Sequence, residues 1–146
     1  FPALAATETE IPESVAKAFH ITPKACFKGR DDYMLVFENE QEVISLQTDF
    51  QQLVNAKTRG VICTSKSEKY DFVSRFFAPA VGVNEDPVTG SAHTMLIPFW
   101  TRKLGKTEMI AKQVSARGGI LYCKLAGNRV KIGGNAVTFL TGEITV

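Results

Sequence analysis

Long basic runs are missing from this chain: no stretch of lysine or arginine exceeds two residues, and the net charge of its 146 residues is only +2. A nucleic-acid stripe or a membrane-surface patch is therefore not expected. Long apolar runs are missing too, and none approaches the ~20 residues a spanning helix needs. No leader of the secretory type is recognisable. Cysteine is scarce, with Cys26, Cys63 and Cys123 widely spaced and no C-x-x-C pair. That spacing argues against a zinc site or a disulfide framework, so no metal is expected. Cys63 and Cys123 sit in β-like runs, which reads as buried reduced thiols in a reducing cytoplasm. Histidine is limited to His20 and His93. With no serine–acid partner pattern around it, His93 reads first as a satisfied structural histidine. No G-x-G-x-x-G or Walker-type loop occurs, so nucleotide binding is unsupported.

What is present fits one globular domain: 45% hydrophobic residues, 22% charged residues, and a length suited to a single core. Pro12 opens a short helical pattern over Glu13 to Phe19. Strand-like runs follow at Ala25 to Lys28, Tyr33 to Glu38 and Glu42 to Leu46, with a hairpin turn at Gly29 to Asp32 between the first two. A short helix from Asp49 to Asn55 carries an Asp N-cap. Further strands are expected at Arg59 to Thr64, Tyr70 to Phe77, Glu108 to Ser115, Ile120 to Leu125, Arg129 to Gly133 and Ala136 to Val146. Gly127-Asn128 and Gly133-Gly134-Asn135 read as hairpin turns.

The most informative stretch is Asn84-Glu85-Asp86-Pro87-Val88-Thr89-Gly90-Ser91-Ala92-His93. It runs directly into Met95-Leu96-Ile97-Pro98-Phe99-Trp100, apolar on most faces of a helix that Gly105 would close. Such a helix is surrounded by structure, and Pro98 removes one of its internal hydrogen bonds. The spacing predicts an α+β fold, a mixed, curled, barrel-like sheet around one central helix. Free amides at the start of that helix, with its positive dipole end, suit a carboxylate or phosphate.

Asp86 beside this start has two readings: a cap or turn residue, or a carboxylate for proton transfer. Gly90 and Ser91 read as a tight turn, as anion donors, or as both. Arg75 reads as one half of a structural ion pair, with bidentate substrate binding as the alternative. Gly118 and Gly119, after Arg117, form a turn that is either purely conformational or brings amides to a ligand.

Phe76-Phe77-Ala78-Pro79, the block from Gly82 to His93, and the stretch from Gln113 to Gly119 together resemble the PhzF-like isomerases of phenazine biosynthesis. The stretch from Val130 to Val146 resembles the last hairpin of that family. The resemblance spans essentially the whole chain but only the second half of a family member. It implies two similar domains of the diaminopimelate-epimerase type, each a curled sheet around a central helix, with substrate in the cleft between them. It further implies cofactor-independent proton movement on a small carboxylate. Asp86 matches the second-domain acid, and Gly90 and Ser91 match the substrate-binding turn at the central helix start; Ala92, Gly118 and Gly119 are further substrate-binding candidates.

In the family the principal glutamate and a supporting histidine lie in the first domain. Residues 1–146 are accordingly expected to be one C-terminal domain whose partner is the N-terminal domain of a longer chain, as the non-Met start also suggests, and to be inactive alone. Thr89 occupies the place of a catalytic cysteine in related amino-acid epimerases, and a neutral hydroxyl is a poor base, which disfavours a two-thiol racemase. Two rival readings are a small-acid binding module without catalysis and a structural half-domain that forms a homodimer through its cleft face.

Overall fold

A computed structural model describes residues 1–145. The chain forms β1 (Thr7–Thr9), α1 (Glu13–Lys17), β2 (Ala25–Lys28), β3 (Asp32–Val36), α2 (Glu40–Ser45), α3 (Phe50–Asn55), β4 (Gly60–Lys66), β5 (Phe72–Phe77), α4 (Gly90–Leu104), β6 (Glu108–Gln113), β7 (Gly119–Ala126) and β8 (Arg129–Gly133). The eight strands make one mixed sheet in sequence order. β3–β4 and β5–β6 pair in parallel, and the other neighbours pair antiparallel.

The two parallel pairs explain the layers. A parallel pair needs a crossover, and crossovers are right-handed. β3→α2/α3→β4 and β5→α4→β6 run across the sheet in the same lateral direction, but β5 runs antiparallel to β4. Right-handedness then puts the two sets of helices on opposite faces. The buried side chains sort accordingly. Met34, Ile62, Phe72 and Phe76 face α4 in one cluster, while Leu35, Val61, Cys63, Val73 and Phe77 pack with Val15, Val43 and Leu53 of α1–α3 in another. With both faces covered, β4 is buried over six consecutive residues.

The sheet therefore has a helix layer on each face rather than one central helix alone. It is also open: β1 and β8 are its edges, and a single isolated bridge, Pro2↔Arg129, brings the first residues beside β8.

α4 is buried continuously from Ala92 to Trp100. Fully burying each Leu, Ile or Phe there contributes about 1.5–3 kcal/mol. Trp100 stacks on Phe72 with centroids 5.7 Å apart, and its Nε1 donates to Thr64 Oγ1 at 3.0 Å. Pro98 lies inside the helix, and the carbonyl it leaves free, Thr94 O, accepts from the amide of Leu4 at 2.9 Å. Gly105 ends α4 in the left-handed conformation, φ 69°.

Several expectations fail, and one strand was not foreseen. Glu42 to Leu46 is not a strand: α2 occupies Glu40–Ser45, started by Asn39, whose side chain accepts from Glu42 N at 3.0 Å. β1 was not anticipated, because its three exposed residues carry no apolar pattern. Residues 136–145 form no strand, and Gly133-Gly134-Asn135 is no hairpin turn, because nothing within the described residues pairs with that segment. Val146 lies outside the described residues.

Candidate functional site

The site is assembled at one end of the sheet, where β5 and β6 finish and β4, β7 and α4 begin. After β5 the chain makes a short 3₁₀ turn over Pro79–Val81, then Gly82 at φ 84°, and returns so that Asp86 N donates to Phe76 O at 3.0 Å. Glu85 anchors this return. Its carboxylate takes two bonds from Arg75, at 2.7 and 3.0 Å, while Arg75 Nη1 also donates to Leu46 O at 2.8 Å. Arg75 is thus a structural ion-pair member that ties the loop to α2, as its sequence context favoured.

Asp86 is not the cap of α4. The N-cap position is Thr89, and Thr89 makes no side-chain cap bond. Its hydroxyl donates instead to Asp86 Oδ2 at 2.7 Å. Gln113, completely buried at the end of β6, fixes that direction. Its Nε2 donates to Thr89 Oγ1 at 3.0 Å and to Asp86 O at 2.6 Å, and its Oε1 accepts from Thr89 N at 2.8 Å. Because Thr89 Oγ1 already accepts from Gln113, its own proton points to Asp86. One carboxylate oxygen, Oδ2, is engaged inside the protein; no side chain among the described residues bonds Oδ1.

The amides of Gly90, Ser91 and Ala92 find no acceptor among the described residues, and the first turn of α4 carries no acidic side chain. Ser91 is exposed, and its Oγ accepts from Arg59 Nη1 at 3.2 Å. Arg59 in turn grips buried Asp32 through Nε at 2.8 Å and through Nη2. This bond holds the guanidinium charged and above its ordinary pKa. A full positive charge thus stands beside the positive end of the helix.

The β6–β7 turn is stitched to the same loop. Ser115 Oγ donates to Pro87 O at 2.8 Å and accepts from Gly118 N at 3.0 Å. Gly118 has φ 66°, and a Cβ on Gly119 would stand 2.6 Å from Val88 Cγ2. Between the turn, Gly90 and the end of β8 lies a cavity of about 640 Å³.

His93 points away from this chemistry. It is fully buried, with Nδ1 2.8 Å from Thr89 O and Nε2 without a partner. Burial pushes its pKa down to about 4, so it is neutral at pH 7. All three cysteines are free and buried, and burial raises their pKa values, to about 11 for Cys26 and about 12 for Cys123. Among the described residues no cluster of three His, Cys, Asp or Glu is arranged for a metal.

The loop and the helix start thus lie where the sequence put them, and the structure brings Asp86, Gly90, Ser91, Ala92, Gly118 and Gly119 to one end of the sheet. The sequence reading missed the roles of Gln113, Arg59 and Asp32. They are 27 to 54 residues from Asp86 along the chain and reach the site only through strand pairing. The buried glutamine at a strand end was the one available signal.

A family model described as phenazine biosynthesis-like protein (PhzC-PhzF) matches residues 3–142. An uncharacterized isomerase of Pseudomonas aeruginosa is 44% identical over 144 residues, 99% of this chain and 55% of that protein. An uncharacterized isomerase of Halalkalibacterium halodurans is 47% identical over 139 residues, 94% of this chain and 52% of that protein. The crystal structure of a PhzF-family phenazine biosynthesis protein of Enterococcus faecalis superposes with a TM-score of 0.91 at 39% identity, over 100% of this chain and 56% of that one. The chain spans about half the length of the curated relatives it matches.

Proposed function

The chain belongs to the phenazine biosynthesis-like protein family, and from that premise we propose that it is the C-terminal, substrate-binding half of a cofactor-independent isomerase. The whole protein would move a proton, and with it a double bond, on a small carboxylate-bearing metabolite. The observation that carries this reading is Asp86, held by Thr89 and Gln113 just ahead of the amides of Gly90, Ser91 and Ala92, which have no acceptor among the described residues. The substrate carboxylate accepts from those amides and from the Ser91 hydroxyl. Asp86 Oδ1 then faces the bound acid as a secondary proton donor and acceptor, or as orienter of a substrate amine or hydroxyl. The names of the bacterial relatives, both isomerases, support the reaction class.

Two features favour a partner domain in the same polypeptide. The matched relatives are nearly twice as long. The segment after β8 leaves Val137, Phe139, Leu140 and Ile144 between 83% and 99% exposed, a run that water does not favour unless another surface covers it. The principal base belongs to that absent half. The test is turnover by the full-length protein against turnover by residues 1–146 under identical conditions. The full-length protein isomerises its acid and the isolated chain does not; full activity of the isolated chain would refute the half-site reading.

Of the two rival readings, the structural half-domain that forms a homodimer through its cleft face draws on the same exposed segment. Light scattering distinguishes a homodimer of the chain from a monomer that needs its other half.

A further inference from the structure

The cavity beside Gly90 is lined by the apolar residues Val88, Ile120, Leu121 and Ile132 and by Gly118 and Gly119. Its volume lies within the ~300–1,000 Å³ of ordinary small-molecule sites. Arg117 is the one charged residue in its lining, and no carboxylate lines it, whereas four other concavities on the chain each contain at least one carboxylate. Arg59 and Arg75 are each committed to an acid, Asp32 and Glu85. Arg117 is exposed and has no ion pair among the described residues. The backbone of its turn is held in place, because Ser115 bonds the turn to Pro87 and Gly119 packs directly on Val88.

We propose that this cavity receives a small dianionic acid, with one carboxylate at the amides of Gly90 to Ala92 and a second anionic group at Arg117. The inference rests on the anion-site reading above and adds the substrate class. The apolar walls accept a ring or short unsaturated body, and the two positive ends set the spacing of its charges. Arg117 is the specificity-determining residue: a guanidinium in the cavity lining, with no acid of its own among the described residues, discriminates a second carboxylate by charge-assisted hydrogen bonds.

The test uses the 146-residue chain, ¹⁵N-labelled, titrated with benzoate and with benzene-1,3-dicarboxylate. The dicarboxylate should shift the amides of Ser91 and Ala92 together with those of Gly118 and Gly119. It should bind about tenfold more tightly than benzoate, the gain of one charge-assisted contact. Arg117→Ala should abolish that advantage and leave benzoate binding unchanged. Arg129→Ala, which removes the same charge outside the cavity lining, should change neither. Equal binding of the two acids, survival of the advantage in Arg117→Ala, or an equal loss in Arg129→Ala overturns the proposal. If neither acid shifts Gly90 to Ala92, the anion-site reading itself falls; if benzoate does and only the Arg117 effect is missing, the dianion inference alone falls.

Discussion

The amide of Leu4 donates to the carbonyl of Thr94, 90 residues away in sequence, at 2.9 Å. Pro98 creates the need for this bond, since a proline at that position cannot supply the N–H that Thr94 O would otherwise accept. The first residues of the chain thereby become part of the helix that carries the site. Leu4→Pro should destabilise the chain by about 1–3 kcal/mol, the cost of leaving a buried carbonyl unpaired. In a Pro98→Ala background the same change should cost less, because the helix can then satisfy Thr94 itself. Denaturant unfolding of the four variants measures the coupling; equal costs in the two backgrounds would contradict the account.

Gly119 and Val88 set the packing of the β6–β7 turn on the motif loop. Gly119→Ala places a methyl 2.6 Å from Val88 Cγ2 and should cost about 1–3 kcal/mol. Val88→Ala in the same chain should recover most of that loss. Gly90→Ala meets nothing within 4 Å and should leave the melting temperature unchanged while blocking close approach of a ligand to the helix start. Thermal melts beside benzoate titrations separate these effects.

His93 gives the chain a distinctive acid response. Its pKa falls from an ordinary 6.5 to about 4 on folding, through burial. Between those values the unfolded chain binds the extra proton, so stability is full above pH 6.5 and declines as pH drops toward 4. The total loss is about 3 kcal/mol. Between pH 6.5 and 5, before carboxylates titrate appreciably, His93→Gln should flatten the slope although its stability at pH 7 is lower. An unchanged slope would assign the acid response to other groups.

Much of this fold was legible because its signals are local. The turn at Gly127-Asn128, the Asp49 cap of α3 and the Gly105 end of α4 depend on a few adjacent residues, and each stands in the structure. α2 was misread because Glu42-Val43-Ile44-Ser45-Leu46 looks β-like, while the Asn39-to-Glu42 cap that makes it helical was overlooked. The segment from Ala136 has strand composition but finds no partner in the described residues, since strand pairing is a property of two segments and cannot be read from the composition of one. The site divides the same way. Asp86, Gly90 and Ser91 announce themselves within one short stretch. Gln113, which orients Thr89, and Arg59, which bonds Ser91, depend on β-sheet register that no local pattern encodes.

The central claim of the proposed function is that Asp86 assists proton transfer, as a secondary donor and acceptor or as an orienter, to an acid bound at the start of α4. Its most direct test is incorporation of deuterium from heavy water into the substrate acid by the full-length protein, followed by ¹H NMR, for wild type and Asp86→Asn. The substitution keeps the side-chain shape and the Thr89 contact but removes the carboxylate and its capacity to give or take a proton. Incorporation should fall by about a hundredfold or more, the usual contribution of a positioned acid or base, with KM little changed. An Asp86→Asn protein that exchanges deuterium at the wild-type rate would contradict the account.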